Sequence, residues 1–309
     1  MPAFTDYTFP SCNGKTQIHV RRCTPDGEVR GVVQLAHGIA EHVERYDGFA
    51  AFLAENGYVV VANDHLGHGQ SIGSEEELGC LMEEGGWKRL VIDMHTLCEK
   101  TAAEFPGLPY FLFGHSMGSF LARTYLIAYP EGLTAAVICG TGQQSGALVR
   151  AGRAMGRLEI RRHGADYKSE LLNKMAFGAY NKGIEPQRTP CDWLTRDNAV
   201  VDAYIADPHA GFVPSAGLFT EMMSGIAFIS DRKNLARMKK DLPLLFIAGE
   251  KDPVGEFGKG VKRAYAAFLA AGMSDVTLKL YPDCRHEVLN ELCKDQVMSD
   301  VLAWFEQKR

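Results

Sequence analysis

A serine hydroxyl is a poor nucleophile at neutral pH, so covalent chemistry at serine needs a histidine to take the proton and a carboxylate to orient that histidine. In this chain of 309 residues the segment YFLFGHSMG sets Ser116 at the centre of Gly114-His115-Ser116-Met117-Gly118. This G-x-S-x-G pattern stands at the end of an apolar run and the start of a helical one. The two glycines remove side chains that would collide where a strand turns sharply into a helix, and Ser116 Oγ then projects at the carboxyl end of a sheet. With 32 glycines in the chain the bare pattern is weak, and its flanks give it weight.

Two later apolar runs end in the partners that such a serine requires. Leu244 to Ala248 leads into Gly249-Glu250-Lys251-Asp252-Pro253, and Val276 to Tyr281 leads into Pro282-Asp283-Cys284-Arg285-His286-Glu287. The order Ser116, Asp252, His286 is that of nucleophile, acid and base. Asp252 also reads as an ordinary turn residue before Pro253, and Glu250 and Asp283 compete with it for the acid's role. A developing oxyanion needs backbone donors. Met117 N–H, directly after the serine, is one; the turn His37-Gly38-Ile39 offers the second, with Ile39 N–H the choice.

The remaining histidines point elsewhere. His37, beside a glycine in a turn, reads as bonded to backbone, and His42, His65 and His68 read as loop braces, because a zinc site needs three or four placed ligands. No metal is expected. The chain lacks G-x-G-x-x-G after a strand and lacks a G-K-[ST] loop, so no nucleotide cofactor is expected either. Eight cysteines without a C-x-x-C pair read as reduced, mostly packed thiols, and thiol sensitivity through Cys284, two residues before His286, stays open.

The elements that must position these residues follow from hydrophobic period. Val32 to Ala36, Tyr58 to Ala62, Tyr110 to Phe113, Ala135 to Cys139 and Leu244 to Ala248 are continuous apolar runs of the kind buried on both faces of a parallel sheet, and Val276 to Tyr281 alternates. Tyr7 to Phe9 and Gln17 to Arg22 predict an antiparallel edge. Helical spacing covers Tyr46 to Glu55, Trp87 to Glu104, Phe120 to Tyr129, Gly260 to Ala271 and Val288 to Phe305. Strand alternating with helix gives a mostly parallel sheet with helices on both faces. From about 142 to 240 the alternation stops, and Ala147 to Arg157, Ser169 to Tyr180, Asn198 to Ala206 and Ala216 to Phe228 read as helices of an insertion.

Composition bounds the partners. At 46% apolar and 23% charged the chain is ordinary globular protein, and a net charge of −5 supplies no basic field for nucleic acid. No signal peptide and no run of 18 or more apolar residues is visible, so the expected address is the cytoplasm.

Four stretches together resemble the α/β-hydrolase superfamily, and within it the monoacylglycerol lipase and lysophospholipase group of serine hydrolases. They are His37-Gly38-Ile39-Ala40-Glu41-His42 with Arg45-Tyr46, Asp64-His65-Leu66-Gly67-His68-Gly69-Gln70-Ser71, Gly114 to Ser119, and Asp252 with His286. His65 departs from the arginine that many relatives carry there. The resemblance implies an α/β-hydrolase fold with its core in residues 1–141 and 241–309 and a helical cap in 142–240. It implies Ser116 as nucleophile, His286 as base, Asp252 as acid, and the amides of Ile39 and Met117 as oxyanion hole. The expected activity is hydrolysis of a carboxylic ester through an acyl-enzyme, on a fatty-acyl ester such as a monoacylglycerol or lysophospholipid, with transient membrane-surface contact through the cap. Phe212, Phe219, Met222 and Met223, with Phe228, form the expected apolar wall of the substrate site. A peptidase or amidase, with Asp166, Asp192 or Asp207 receiving an amino terminus, and an acyltransferase remain alternatives.

Overall fold

Strands rich in valine, leucine and phenylalanine can be apolar on both sides only if layers of helices cover both faces of their sheet. The computed structural model, which describes residues 2–81 and 85–309, has that arrangement. Among the described residues eight strands form one sheet: β1 (Ala3–Pro10), β2 (Gln17–Thr24), β3 (Gly31–Ala36), β4 (Tyr58–Asn63), β5 (Tyr110–His115), β6 (Ala135–Cys139), β7 (Leu244–Gly249) and β8 (Val276–Tyr281), in the order β1-β2-β4-β3-β5-β6-β7-β8. β1 and β2 pair antiparallel, as does β2 with β4, and every later pair is parallel. The expected antiparallel edge and parallel body are both present. β3 to β7 are buried at every position.

Among the described residues there are ten helices: α1 (Asp47–Glu55), α2 (Gly86–Glu104), α3 (Met117–Ala128), α4 (Gly146–His163), α5 (Glu170–Phe177), α6 (Asn198–Ala206), α7 (Ala216–Ser230), α8 (Arg232–Leu235), α9 (Lys259–Ala270) and α10 (Lys294–Lys308). Alternate residues of each strand enter opposite cores. Leu112, Ile138 and Phe246 join Met94 of α2, Leu121 of α3 and Phe268 of α9, while Phe113, Val137 and Ile247 join Phe49 of α1 and Phe305 of α10. The helices α4 to α8 lie between β6 and β7 and add no strand to the sheet. They are not a separate body, because α7 packs on α2 and α3 as well as on α4, and its Ile226 and Ile229 share a core with Leu121.

Two boundaries differ from the pattern in the sequence. The single helix expected from Val288 to Phe305 is broken: a short 3-10 turn covers Val288–Asn290 and α10 begins at Lys294. Between them the buried Glu291 carboxylate takes the backbone N–H groups of Arg285, Arg196 and Leu292, which holds the chain off a helical path that the apolar spacing alone would allow. α3 starts at Met117 rather than Phe120. The low helix propensity of Gly118 hid that first turn, and the glycine is there because a Cβ at Gly118 would lie 2.0 Å from the Ala36 carbonyl oxygen.

Gly118→Ala should therefore lower the unfolding free energy by about 3 kcal/mol, measured by urea denaturation. The contrasting Gly48→Ala, on α1 with nothing within 4 Å of the added Cβ, should stay within about 0.5 kcal/mol of the parent.

Candidate active site

The parallel register brings the carboxyl ends of β5, β7 and β8 to one rim. Ser116 stands between β5 and α3 with φ 52° and ψ −119°, a conformation costly to any residue with a Cβ. Hydrogen bonds hold it from both sides. Ser116 N–H donates to the Cys139 carbonyl (3.0 Å), and the Ser116 carbonyl accepts from Ser119 N–H (2.9 Å) and Ser119 Oγ (2.6 Å). Ser116 is partly exposed between buried His115 and buried Met117.

Asp252 and His286 meet after β7 and β8. The Asp252 carboxylate accepts from His286 Nδ1 (3.0 Å) and from Val254 N–H (2.8 Å) through the same oxygen, and both side chains are buried. Glu250 and Asp283, the competing carboxylates, are exposed. Burial works to lower the His286 pKa, but the Asp252 charge and hydrogen bond outweigh it and leave the imidazole above its ordinary value. The neighbouring ring of His115, 4.6 Å away between centroids, is driven the other way by burial and by the His286 charge, and stays neutral. His286 and Ser116 line one cavity of about 490 Å³.

The turn after β3 closes on the same point. A Cβ at Gly38 would lie 3.1 Å from Ser116 Cβ and 2.6 Å from the Glu41 carboxylate, so only glycine lets this backbone come so near the serine. Ile39 lines the cavity next to Ser116, and Met117 N–H is in the first turn of α3, where amides have no intrahelical acceptor. His37 Nδ1 lies 2.7 Å from the Gly38 carbonyl and its Nε2 accepts from His65 N–H (3.0 Å), a brace between two loops. Among the described residues no group of three or more His, Cys, Asp or Glu side chains could hold a metal ion.

A buried charge network ties this turn to the histidine loop. Arg45 donates to Glu41 (2.6 Å) and, through both terminal nitrogens, to Glu287 (2.7 and 2.8 Å). Glu41 in turn accepts from Gly38 N–H and Tyr46 OH. Burial pushes the Glu41 carboxyl up against the pull of Arg45, whereas Arg45 overcomes burial at Glu287 and holds it down to about 2. The Arg45 guanidinium also stands 4.7 Å over the Tyr204 ring, and Tyr204 OH donates to the Ala40 carbonyl (3.0 Å). The sequence carried Arg45 only as part of a resemblance and gave Glu287 no role. The i,i+4 spacing of Glu41 and Arg45 is a visible signal, but nothing local pairs Arg45 with a residue 242 positions away.

Two cavities meet at Ser116. The larger is lined by polar groups including Glu41, Arg45, Asn173, Lys174, Asn181 and Gln187. The smaller, about 170 Å³, is walled by Phe120, Val149, Phe219, Met222, Met223 and Ile226. Phe219, Met222 and Met223 thus line the apolar cavity, whereas Phe212 lines the polar one and Phe228 lines neither. Asp166, Asp192 and Asp207 line neither cavity; Asp207 is paired with His42 (2.7 Å) and Asp192 accepts from Thr189 and Arg188.

A family model described as serine aminopeptidase, S33, matches residues 27–293. The chain belongs to this family of α/β-hydrolases. It is 35% identical to a monoacylglycerol lipase of Mycolicibacterium smegmatis over 91% of this chain and 90% of that one. It is 27% identical to a monoglyceride lipase of Homo sapiens over 94% of this chain and 87% of the relative. A thermostable carboxyl esterase from Bacillus coagulans, solved in complex with glycerol, superposes with a TM-score of 0.91 at 30% identity and covers 99% of this chain and 98% of its own. The chain is a hydrolytic enzyme, and among its described residues no helix is long and apolar enough to cross a membrane.

Replacing Arg45 by Met should cost about 3 kcal/mol or more at pH 7, since two buried carboxylates lose their cation. The gap to the parent should narrow as pH falls toward 5 in chemical denaturation: the stranded carboxyls then take up protons, while Glu287 in the parent, held near 2, does not.

Proposed function

We propose that this hydrolase cleaves carboxylic esters of fatty acids, monoacylglycerols or lysophospholipids, through an acyl-enzyme on Ser116. The observation that carries the reading is the strained, partly exposed Ser116 at the junction of an apolar and a polar cavity, with His286 on the polar wall and the buried Asp252 bonded behind it. His286 takes the Ser116 proton as Oγ attacks the ester carbonyl, and the amides of Ile39 and Met117 receive the oxyanion. His286 then protonates the leaving alcohol, and water activated by the same imidazole releases the acid. Asp252 holds the Nδ1–H tautomer and stabilises the imidazolium.

In this reading the acyl chain enters the cavity walled by Phe219, Met222 and Met223, where each buried methylene contributes about 0.8 kcal/mol, and the alcohol sits among Arg45, Asn173 and Asn181. Residues 142–240 act as a cap over residues 1–141 and 241–309. Leu148 and Met175, exposed at the apolar cavity, with exposed Leu171 beside them, give the cap a surface for transient contact with lipid. The aspartates expected to receive an amino terminus in an aminopeptidase, Asp166, Asp192 and Asp207, stand outside both cavities, whereas Glu41, Glu170 and Glu287 line the polar one, so turnover of an aminoacyl anilide separates the two readings. An acyltransferase would share every residue named and differ in the acceptor, so added alcohol capturing the acyl group in place of water would mark it.

A panel of p-nitrophenyl esters from two to sixteen carbons, with a monoacylglycerol, a lysophospholipid and an aminoacyl anilide, should peak at medium or long acyl chains. Ser116→Ala should lose about a thousandfold or more in kcat with the fold intact by circular dichroism. A short-chain optimum without lipid turnover would overturn the lipid reading, and near-parental turnover by Ser116→Ala would overturn the nucleophile.

The base must be neutral to act, and His286 lies above 6.5, so kcat/KM should fall with acid along a limb centred above 6.5. Asp252→Asn removes the raising charge. The limb should move to lower pH while kcat drops by about 10⁴; a pH–rate profile measures both.

A further inference from the structure

Outside the chemistry described so far, Cys284 and Cys293 bring their sulfurs to 2.9 Å, and both are free thiols. The segment between them carries His286 and Glu287. Each cysteine has firm main-chain support. The Cys284 carbonyl accepts Lys251 N–H (2.9 Å) in the turn leading to Asp252, and it lies so close to β7 that a Cβ on Gly249 would be 2.1 Å from its oxygen. Cys293 caps α10, whose Val297, Val301 and Phe305 are buried, and its carbonyl accepts Val297 N–H (3.2 Å). Cys284 is buried and Cys293 partly exposed, next to the exposed Leu292. Arg196 completes the setting, with Nη2 3.7 Å from Cys284 Sγ and Nε bonded to Glu291 (2.9 Å).

We propose that Cys284 and Cys293 form a modification site, a dithiol that exchanges with a small-molecule disulfide to give a reversible intrachain disulfide stapling the loop that carries His286.

The exchange balances in two steps. The Cys293 thiolate attacks one sulfur of the reagent RSSR, forming a Cys293–S–SR bond and expelling RS⁻, which takes the Cys293 proton. Cys284 then attacks Cys293 Sγ, the protein disulfide forms, and a second RS⁻ leaves with the Cys284 proton. Two protein thiols are oxidised by two electrons and one reagent disulfide is reduced to two thiols. Burial, the hydrogen bond to Cys293 and the Glu291 charge push the Cys284 thiol up to about 12, so the accessible Cys293 meets the reagent and Cys284 resolves the adduct. An S–S bond is about 2.04 Å long, so the sulfurs close by under about 1 Å. That movement falls on the Cys293 side, because Cys284 is clamped against β7, and the Asp252–His286 geometry is kept.

Treating the intact protein with oxidised glutathione should remove two hydrogens from its mass, yield a Cys284–Cys293 cross-linked peptide, and raise Tm by about 3 °C or more, all reversed by dithiothreitol. Ester turnover should stay within about twofold of the reduced form, since the pair at His286 keeps its geometry. Cys293→Ser, at the partly exposed position, should fold like the parent and show neither cross-link nor Tm rise. Persistent free thiols under excess oxidised glutathione, a stable glutathione adduct on Cys293, or a cross-linked chain that melts no higher would each overturn the proposal. Mass and melting are read without substrate, so failure here is distinct from failure of the esterase assignment.

Discussion

A serine with φ at 52° is not a conformation that a chain relaxes into, and it persists only when its surroundings over-determine it. In this fold the constraint is the close crossing of α3 over β3, where Gly118 leaves no room for a side chain beside the Ala36 carbonyl. The crossing pins the first turn of α3, the bond from Ser116 N–H to Cys139 pins the end of β5 to β6, and the serine between them has one place to go. Everything else at the site is arranged around that point. The Gly38 turn approaches to Ser116 Cβ, and the loops after β7 and β8 reach it because parallel strands end at the same rim.

The second organising element is charge without water. One arginine, Arg45, is shared by two buried carboxylates, Glu41 on the Gly38 turn and Glu287 beside His286, and its flat face rests on Tyr204. Buried ion pairs are poor sources of net stability but strong sources of register, because any other arrangement strands a charge. Here the register is between two segments distant in the chain, 41–45 and the histidine loop, with Tyr204 of α6 against the arginine. The placement of the Gly38 turn relative to His286 is thereby set by a bidentate fork rather than by loop stiffness.

The sheet, its antiparallel edge and the places of Ser116, Asp252 and His286 after β5, β7 and β8 were legible because β-branched apolar runs and a glycine-flanked serine are local signals. The break between Val288 and Lys294 was not, because apolar spacing continues across it and the cause is Glu291 binding backbone amides from two separate segments. The cavity residues divided along similar lines. Phe219, Met222 and Met223 share one face of α7 and were found from composition, but Phe212 belongs to a loop whose path no periodicity describes, and it lines the polar cavity. The Arg45–Glu287 pair is a tertiary contact between loops and left no trace in either.

The stretch from Asp192 to Arg196 is sewn to the histidine loop: Trp193 and Leu194 carbonyls accept His286 and Glu287 N–H, Arg285 reaches the Asp192 and Thr195 carbonyls, and Thr195 Oγ1 donates to Asn290. This part of the helical insertion therefore shares the placement of the His286 backbone. A displacement of the chain at 192–196 would carry the His286 imidazole with it, whereas side-chain changes on the outward faces of α4 and α5 leave these hydrogen bonds untouched.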